Sequence, residues 1–412
     1  MDLEEAREAL FAQLVPYSAS ERIPLTQALG RITAEVIRAQ LPLPPFAASA
    51  MDGYALRQQD VANHKTFRIV GQSLAGHPYT GSIEGGECVR IFTGAVVPDG
   101  ADLIVLQEQE DEVITDENGG KNVRFVPHEA DENYIRPIGN DVQLGQQMTQ
   151  PGDRLSPLLL GALAAAGVCE INVYRRPKVG IFSSGDELRD PGTPPEALAL
   201  GEIYDSNSFT LTRLLQHLPI ELITLDRLPD DPEAVEEALA EASRRCDMLI
   251  TSGGVSVGDA DFIGATIARL GELAFWRLNL KPGKPLAFGK IEDCWVFGLP
   301  GNPVSTIVTC LLLVIPSLHV LCGTTPKPLL RIPATLTSPV SHRPGRAEYQ
   351  RGIYHQSAVS GTKLRVTHTG DQGSNRLSTF AGANCLIEIP KNSGDLAVGA
   401  DVNILPLSDL LV

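Results

Sequence analysis

The chain has no Cys-x-x-Cys pair, no His-Glu-x-x-His, no Walker A loop and no Gly-x-Gly-x-x-Gly fingerprint. Those absences remove the zinc ribbon, the zincin protease, the P-loop NTPase and the ordinary dinucleotide-binding domain. The seven cysteines (Cys88, Cys169, Cys246, Cys294, Cys310, Cys322, Cys385) are odd in number and scattered, so neither a disulfide framework nor a cysteine metal site is expected. Reduced, mostly buried thiols in a cytosolic protein are the expectation. The eight histidines show no metal-ligand spacing. Positive charge is also short: the formal net charge is -16, which excludes a duplex-binding face but leaves room for a small anionic ligand held by a few local cations. The start, Met1-Asp2-Leu3-Glu4-Glu5, lacks the basic and apolar parts of a signal peptide. The one long apolar run, Thr306 to Cys322, is interrupted by Pro316, Ser317 and His319. With Asn302-Pro303 as its start, it reads as a buried helix of an α/β domain and not as a membrane span.

What is present is length and punctuation. A chain of 412 residues is too long for one ordinary core, so several domains are expected. Apolar residues at helical spacing predict helix over residues 3–40, ended by Leu41-Pro42-Leu43-Pro44-Pro45. Short runs at 67–70, 88–92, 103–106 and 123–126, separated by Gly, Pro and Asx turns, predict a small β domain. A short Ala-rich helix follows at 155–168. From Lys178 to about Leu321 strands alternate with helical patterns, the signature of a doubly wound sheet. Its predicted strands cover 178–183, 221–226, 248–251 and 295–297, and its helices 208–218, 232–244, 261–270 and 303–314. From Leu330 onward short strands return, as a second β domain expected to close into a barrel.

Three turns organise the α/β part: Thr251 to Asp261 with Gly253, Gly254 and Ser256; Leu280-Lys281-Pro282-Gly283-Lys284-Pro285; and Gly298-Leu299-Pro300-Gly301-Asn302-Pro303. Open α/β sheets bind ligands at the carboxyl ends of their strands. Glycines admit close backbone approach, helix N-termini attract anions, and Lys281 and Lys284 add positive charge around a rigid Pro-Gly. Arg277 fits the same role or that of an exposed strand residue. Carboxylates nearby (Glu187 after Ser183-Ser184-Gly185-Asp186, Asp230 and Asp231 before Pro232, and Asp261) suggest hard oxygen ligands for Mg²⁺. Asp230 or Asp231 serves equally as a helix cap, and Asp261 has a cap reading too. Ser49-Ala50-Met51-Asp52-Gly53-Tyr54-Ala55 and Arg90-Ile91-Phe92-Thr93-Gly94-Ala95 read by composition as Asx and Gly turns.

In this order, these segments resemble the molybdopterin molybdenumtransferase family, which includes bacterial MoeA and the E domains of gephyrin and plant Cnx1. The similarity spans nearly the whole chain. It implies an α/β multidomain protein: an extended helical and β domain from 1–44 and 142–175, an inserted β domain at 45–141, a molybdopterin-binding doubly wound α/β domain at 176–327, and a C-terminal β-barrel at 328–412. It further implies a homodimer, Mg²⁺, and insertion of molybdate into adenylylated molybdopterin with release of AMP. A molybdopterin adenylyltransferase is the implied donor.

The family's cleft lies between the α/β domain of one subunit and the inserted domain of the other. The resemblance assigns Asp52 and Thr93 to the inserted-domain side. Catalytic acids Glu187, Asp230 and Asp261 lie opposite, Asp261 and Glu187 as the metal pair. Gly253, Gly254, Ser256, Lys281, Lys284, Pro300, Asn302 and Pro303 match ligand-binding turns, Arg277 their cationic strand position, Arg136 and Asp141 a further cleft segment, and Ser374 a turn of the last domain. The chain departs from the family pattern at Asn140, often Glu, and at Arg277, where a bacterial relative has Lys; Arg keeps the charge but alters donor geometry. Two alternatives remain: a nucleotide pyrophosphatase of the competence-damage type, which lacks the inserted domain, and a non-catalytic scaffold on the same fold.

Overall fold

A computed structural model describes residues 1–17, 19–126, 132–229, 231–255, 262–356 and 364–411, with the side chains of 275 and 276 excepted. The expected helix over 3–40 is much shorter: it runs Leu3–Gln13, buries Leu3, Ala6 and Leu10, and gives way to an extended Leu14. Ser20–Pro24 is instead a strand, antiparallel to Glu170–Tyr174 with Ile23 opposite Ile171. Pro16 and Pro24 explain the difference, since proline removes a backbone donor and breaks a helical run. Bridges Ile32 to Arg154, Arg38 to Gln147 and Leu43 to Val142 continue the pairing of these two distant stretches.

The next sheet has six strands in the order Leu103–Leu106, Gly53–Leu56, Glu87–Ile91, Thr66–Ser73, Lys121–Phe125, Glu110–Thr115. Composition reads Gly53–Leu56 as a turn, yet it is a wholly buried strand. Gly53 is required there because a Cβ would lie 2.1 Å from the Val105 carbonyl oxygen of the neighbouring strand.

In the α/β part, Glu221–Thr224, Lys178–Ser183, Met248–Ser252 and Cys294–Leu299 are parallel neighbours. Pro285–Ile291 and Glu272–Arg277 extend the sheet antiparallel and were not among the predicted strands. Helices Ser206–Leu215, Pro232–Ser243 and Phe262–Leu270 confirm three predicted helices to within a few residues. The helix Pro303–Leu321 is 19 residues long and apolar enough to cross a membrane, but nearly all of it is buried in the protein. Its middle, Cys310–Val314, is π-helical. There the buried Arg7 of the first helix donates to the Leu312 carbonyl at 2.7 Å, satisfying a backbone group at the irregularity, and also to the Lys327 carbonyl beyond the helix at 2.8 Å.

The last domain closes into a barrel: Ala347–Gln356, Leu364–His368, Ile332–Leu336, Asp401–Pro406 and Cys385–Ile389 pair in a ring, the last returning to the first. Leu280–Lys281 of the α/β part lies parallel to Ala347 and Glu348 of that barrel. A seam between the two is thereby fixed by backbone pairing. All seven cysteines are free, six of them buried and Cys169 exposed.

Candidate active site

The parallel register places Ser183, Ser252 and Leu299 side by side at one end of the sheet. The turns after these strands are consequently neighbours. The Ser184 amide donates to the Ser252 carbonyl at 3.0 Å, and the Gly253 amide to the Leu299 carbonyl at 3.1 Å. Gly253 and Gly254 adopt φ of +98° and +69°, and a Cβ on Gly253 would sit 2.7 Å from the Ser184 carbonyl oxygen. Only glycine fits that conformation without strain. Asn207 ties the first turn to the third, its Nδ2 donating to Ser252 Oγ at 2.8 Å and to the Gly301 carbonyl at 2.7 Å. The Thr306 hydroxyl donates to the carbonyls of Pro300 and Asn302, holding the start of the long helix, with Pro303 in its first turn.

Glu187 is exposed beside these turns. Asp230, Ser256 and Asp261 lie outside the described residues. Asp231 takes the cap reading: its Oδ1 accepts from the Glu233 and Ala234 amides at 3.0 and 2.9 Å. Among the described residues no cluster of three His, Cys, Asp or Glu side chains could hold a metal. Glu187 offers a hard oxygen ligand of the kind Mg²⁺ takes, and a Mg²⁺ site there would need Asp261 or ligand phosphates to complete it.

A cleft of about 670 Å³ opens at the seam between sheet and barrel. Lys281, Lys284 and Asn302 line one wall, and Arg346, Glu348 and Ser374 face them from the barrel. Asn302 makes no side-chain cap bond to its own helix. Arg277, at the end of its strand and exposed, is in register with Pro285 at the edge of this cleft. Two expectations are narrowed here. The Val304 amide at the start of the long helix donates to the Ser374 carbonyl at 3.0 Å, so that donor is committed to the barrel. Lys281 is also engaged, its Nζ lying 3.0 Å from Glu348 Oε2.

On the barrel side of this cleft sequence reasoning placed only Ser374 and missed the buried residues behind it. Arg351, fully buried, donates from its guanidinium to the carbonyls of Asp371, Gln372 and Gly373 at 3.2–3.4 Å and from Nε to Thr379 Oγ1 at 2.9 Å. It thus shapes the turn that presents Ser374. Burial pulls its pKa down to about 10, which leaves it charged at neutral pH. Asp371 is held below the usual carboxylate range, first by the Gly373 amide. The available signal was a run of polar residues, Glu348, Gln350 and Arg351, inside a strand that turns out buried.

The inserted sheet carries a second cluster. Thr93 donates to Asp52 Oδ1 from both its amide and its hydroxyl, each at 2.7 Å, and these bonds hold the Asp52 carboxyl below its ordinary pKa. The strand Ile135–Arg136 pairs with Ala48–Ser49, and the Ser49 carbonyl accepts from the Gly94 amide at 2.8 Å. Asp52, Thr93 and Arg136 are therefore presented on interwoven loops. The Asp141 amide donates to the Leu43 carbonyl at 2.9 Å, placing Asp141 next to the cis Leu43-Pro44 bond. None of the described residues of 45–141 lines the lysine cleft. Within one chain the structure holds two separate clusters and does not bring Asp52 and Thr93 into the cleft of Lys281 and Lys284.

The geometry has close parallels among known proteins. Three family models match: the MoeA N-terminal region (domain I and II) over residues 1–167, the "Probable molybdopterin binding domain" over 180–320, and the MoeA C-terminal region (domain IV) over 333–407. The chain is 39% identical over 412 residues to the molybdopterin molybdenumtransferase of Haemophilus influenzae, covering 100% of both. It is 33% identical to that of Nostoc, covering 94% of this chain and 89% of the relative. A 33% identical stretch covers 93% of this chain and 59% of gephyrin from Dictyostelium discoideum. The crystal structure of the molybdopterin biosynthesis moeA protein of Pyrococcus horikoshii superposes with a TM-score of 0.81 at 28% identity, covering 98% of this chain and 99% of that one. With agreement along its full length, the chain belongs to the molybdopterin molybdenumtransferase family, enzymes of molybdenum cofactor synthesis.

Proposed function

We propose that the protein inserts molybdate into adenylylated molybdopterin and releases AMP, as a homodimer in which each cleft borrows Asp52 and Thr93 from the other subunit. The observation that carries this reading is a cleft lined by Lys281, Lys284 and Asn302, the last continuing the glycine turn that Asn207 ties to the Gly253 turn. Open glycine backbone suits a phosphate that must approach closely, and ammonium groups offset its charge. The ligand's own dithiolene sulfurs take the metal, so no protein thiol needs to act. The protein's tasks are to align molybdate with those sulfurs, to screen the charge of the pyrophosphate link, and to orient the leaving AMP. Asp52, held ionised and fixed by Thr93, orients the reacting group from the partner side. Glu187 and Asp261 would hold Mg²⁺ together with phosphate oxygens, and the ion would neutralise phosphate charge. A molybdopterin adenylyltransferase supplies the substrate; water cleaves its pyrophosphate link to release AMP, and the two dithiolene sulfurs, giving up their protons, displace one molybdate oxygen as water.

Full-length relatives that include the Asp52-bearing sheet favour this reading over a nucleotide pyrophosphatase. The test is reconstitution: purified protein, adenylylated molybdopterin, Mg²⁺ and molybdate should yield one AMP per molybdenum cofactor formed. Release of AMP that is indifferent to molybdate, or from ADP-ribose, would favour the pyrophosphatase. No release from either would favour a scaffold.

Support for the dimer comes from the helix Pro157–Ala165, PLLLGALAA. Of its residues only Leu163 is buried, and Leu158 is 87% exposed. A nearly all-apolar helix left bare on a monomer marks an association surface. Leu158→Asp places a charge in the middle of it. We expect this variant to sediment as a monomer with little activity while its melting temperature, read at equal concentration, falls by only a few degrees. A dimer that survives the change would place the interface elsewhere.

A further inference from the structure

The floor of the lysine cleft contains an ion pair that connects the two domains. Glu348 belongs to the barrel and is 2% exposed, while Lys281 belongs to the α/β part and its side chain is 47% exposed. Lys281 Nζ is 3.0 Å from Glu348 Oε2, and Gln350 Nε2 donates to Oε1 of the same carboxylate at 3.1 Å. His342 Nε2 lies 3.9 Å from Oε2, and the imidazole is itself fixed between the Ser393 and Arg346 carbonyls. Lys281 and Glu348 are also register partners in the parallel ladder across the seam, so backbone and side chains fix the same point. Lys284 contrasts with this: among the described residues its ammonium has no hydrogen bond or ion pair, although it lines the same cleft.

A buried carboxylate is costly unless it is paired and hydrogen-bonded, so Glu348 holds its cation firmly. An exposed lysine by contrast samples many rotamers, and fixing one lets each encounter with an anion meet a preset charge. The negative charge beneath it also subtracts from the field that an anion feels on entering. We propose that Glu348 is a positioning residue for the insertion reaction: it fixes the Lys281 ammonium at one place on the cleft wall and weakens the cleft's attraction for anions in exchange for alignment. This inference rests on the cleft being the anion site proposed above.

Two properties should then move in opposite directions. Glu348→Gln keeps the shape and an acceptor oxygen but removes the charge. Molybdate should bind more tightly, lowering its KM severalfold, while kcat falls about tenfold because Lys281 is no longer aligned. Glu348→Asp keeps the charge but draws it back, and should restore part of kcat and most of the wild-type KM.

A readout that does not depend on turnover is the rate at which N-hydroxysulfosuccinimide acetate modifies Lys281 relative to Lys284, measured by peptide mass spectrometry on the full-length protein. Release from the ion pair should raise that ratio severalfold in E348Q and less in E348D. An unchanged ratio overturns the positioning role, as does a raised ratio with kcat and KM both unaltered. If E348Q fails to fold, E348D alone decides by the same two readouts. If wild-type protein shows no molybdate-dependent AMP release, the functional reading fails by itself, and the labelling ratio still judges the ion pair.

Discussion

Lys281→Ala with Lys284→Ala together should lower molybdenum cofactor formation by about 10³-fold, measured as molybdate-dependent AMP release. Each ammonium acts in a partly enclosed cleft against a ligand that carries several negative charges. Removal of one preorganised charge from such a site costs on the order of 10²-fold, and two neighbours sharing one ligand give somewhat less than the product. The single variants should differ. Lys284→Ala removes a side chain without a described partner, so its melting temperature should match wild type. Lys281→Ala leaves the buried Glu348 without its cation, so it should lose a little stability as well as activity. With Lys281 half exposed, that stability loss is about 1 kcal/mol. Retained turnover in the double variant would remove the cleft from the chemistry.

Gly253→Val should abolish turnover by a different route. The residue has φ of +98°, and a Cβ would stand 2.7 Å from the Ser184 carbonyl oxygen, which is backbone and cannot rotate away. Valine adds branching to a conformation that it strongly disfavours. The turn must move, and with it the Asn207 bonds that tie Ser252 to Gly301. A loss of roughly 2–4 kcal/mol of stability should accompany turnover below about 1% of wild type. Gly301→Ala is the control: among the described residues a Cβ there meets only Gly253 Cα at 3.7 Å, an ordinary contact, and activity should largely persist. Equal damage from both substitutions would mean that crowding at the turns, and not the conformation of Gly253, is what matters.

The parallel strands were readable because each is a short apolar, β-branched or aromatic run, two of them followed by glycine turns at Gly253 and Gly301. The order of the strands, which no single segment reveals, then sets the Gly253 turn beside Leu299. The N-terminal helix was overdrawn because Leu25, Ala28, Ile32 and Val36 mimic helical spacing, whereas Ile32 and Thr33 in fact bridge to residues 154 and 173. Long-range antiparallel pairing leaves no periodic trace in one strand alone. The strands Glu272–Arg277 and Pro285–Ile291 escaped for a related reason: their pairing is bulged, and charged residues break the alternation.

The site divides along the same line. Glycines and lysines were visible because their local chemistry is unusual at those turns. Glu348 and Arg351 were not, because their roles depend on partners in other elements, with 67 residues separating Glu348 from Lys281. Glu348, Gln350 and Arg351 form a polar run in their own strand, but nothing in that run names the partner of any of them. Asp52 and Thr93 are intermediate: their mutual bonds are evident in the structure, and their place in a shared cleft rests on the dimer.

Mixed dimers test that shared cleft most directly. Asp52→Asn and Lys281→Ala variants, each inactive alone, would be co-expressed with different affinity tags and the heterodimer purified. Half of its clefts would combine two intact faces, so it should recover about half of the wild-type molybdate-dependent AMP release. A heterodimer as inactive as its parents would contradict a site built from both subunits.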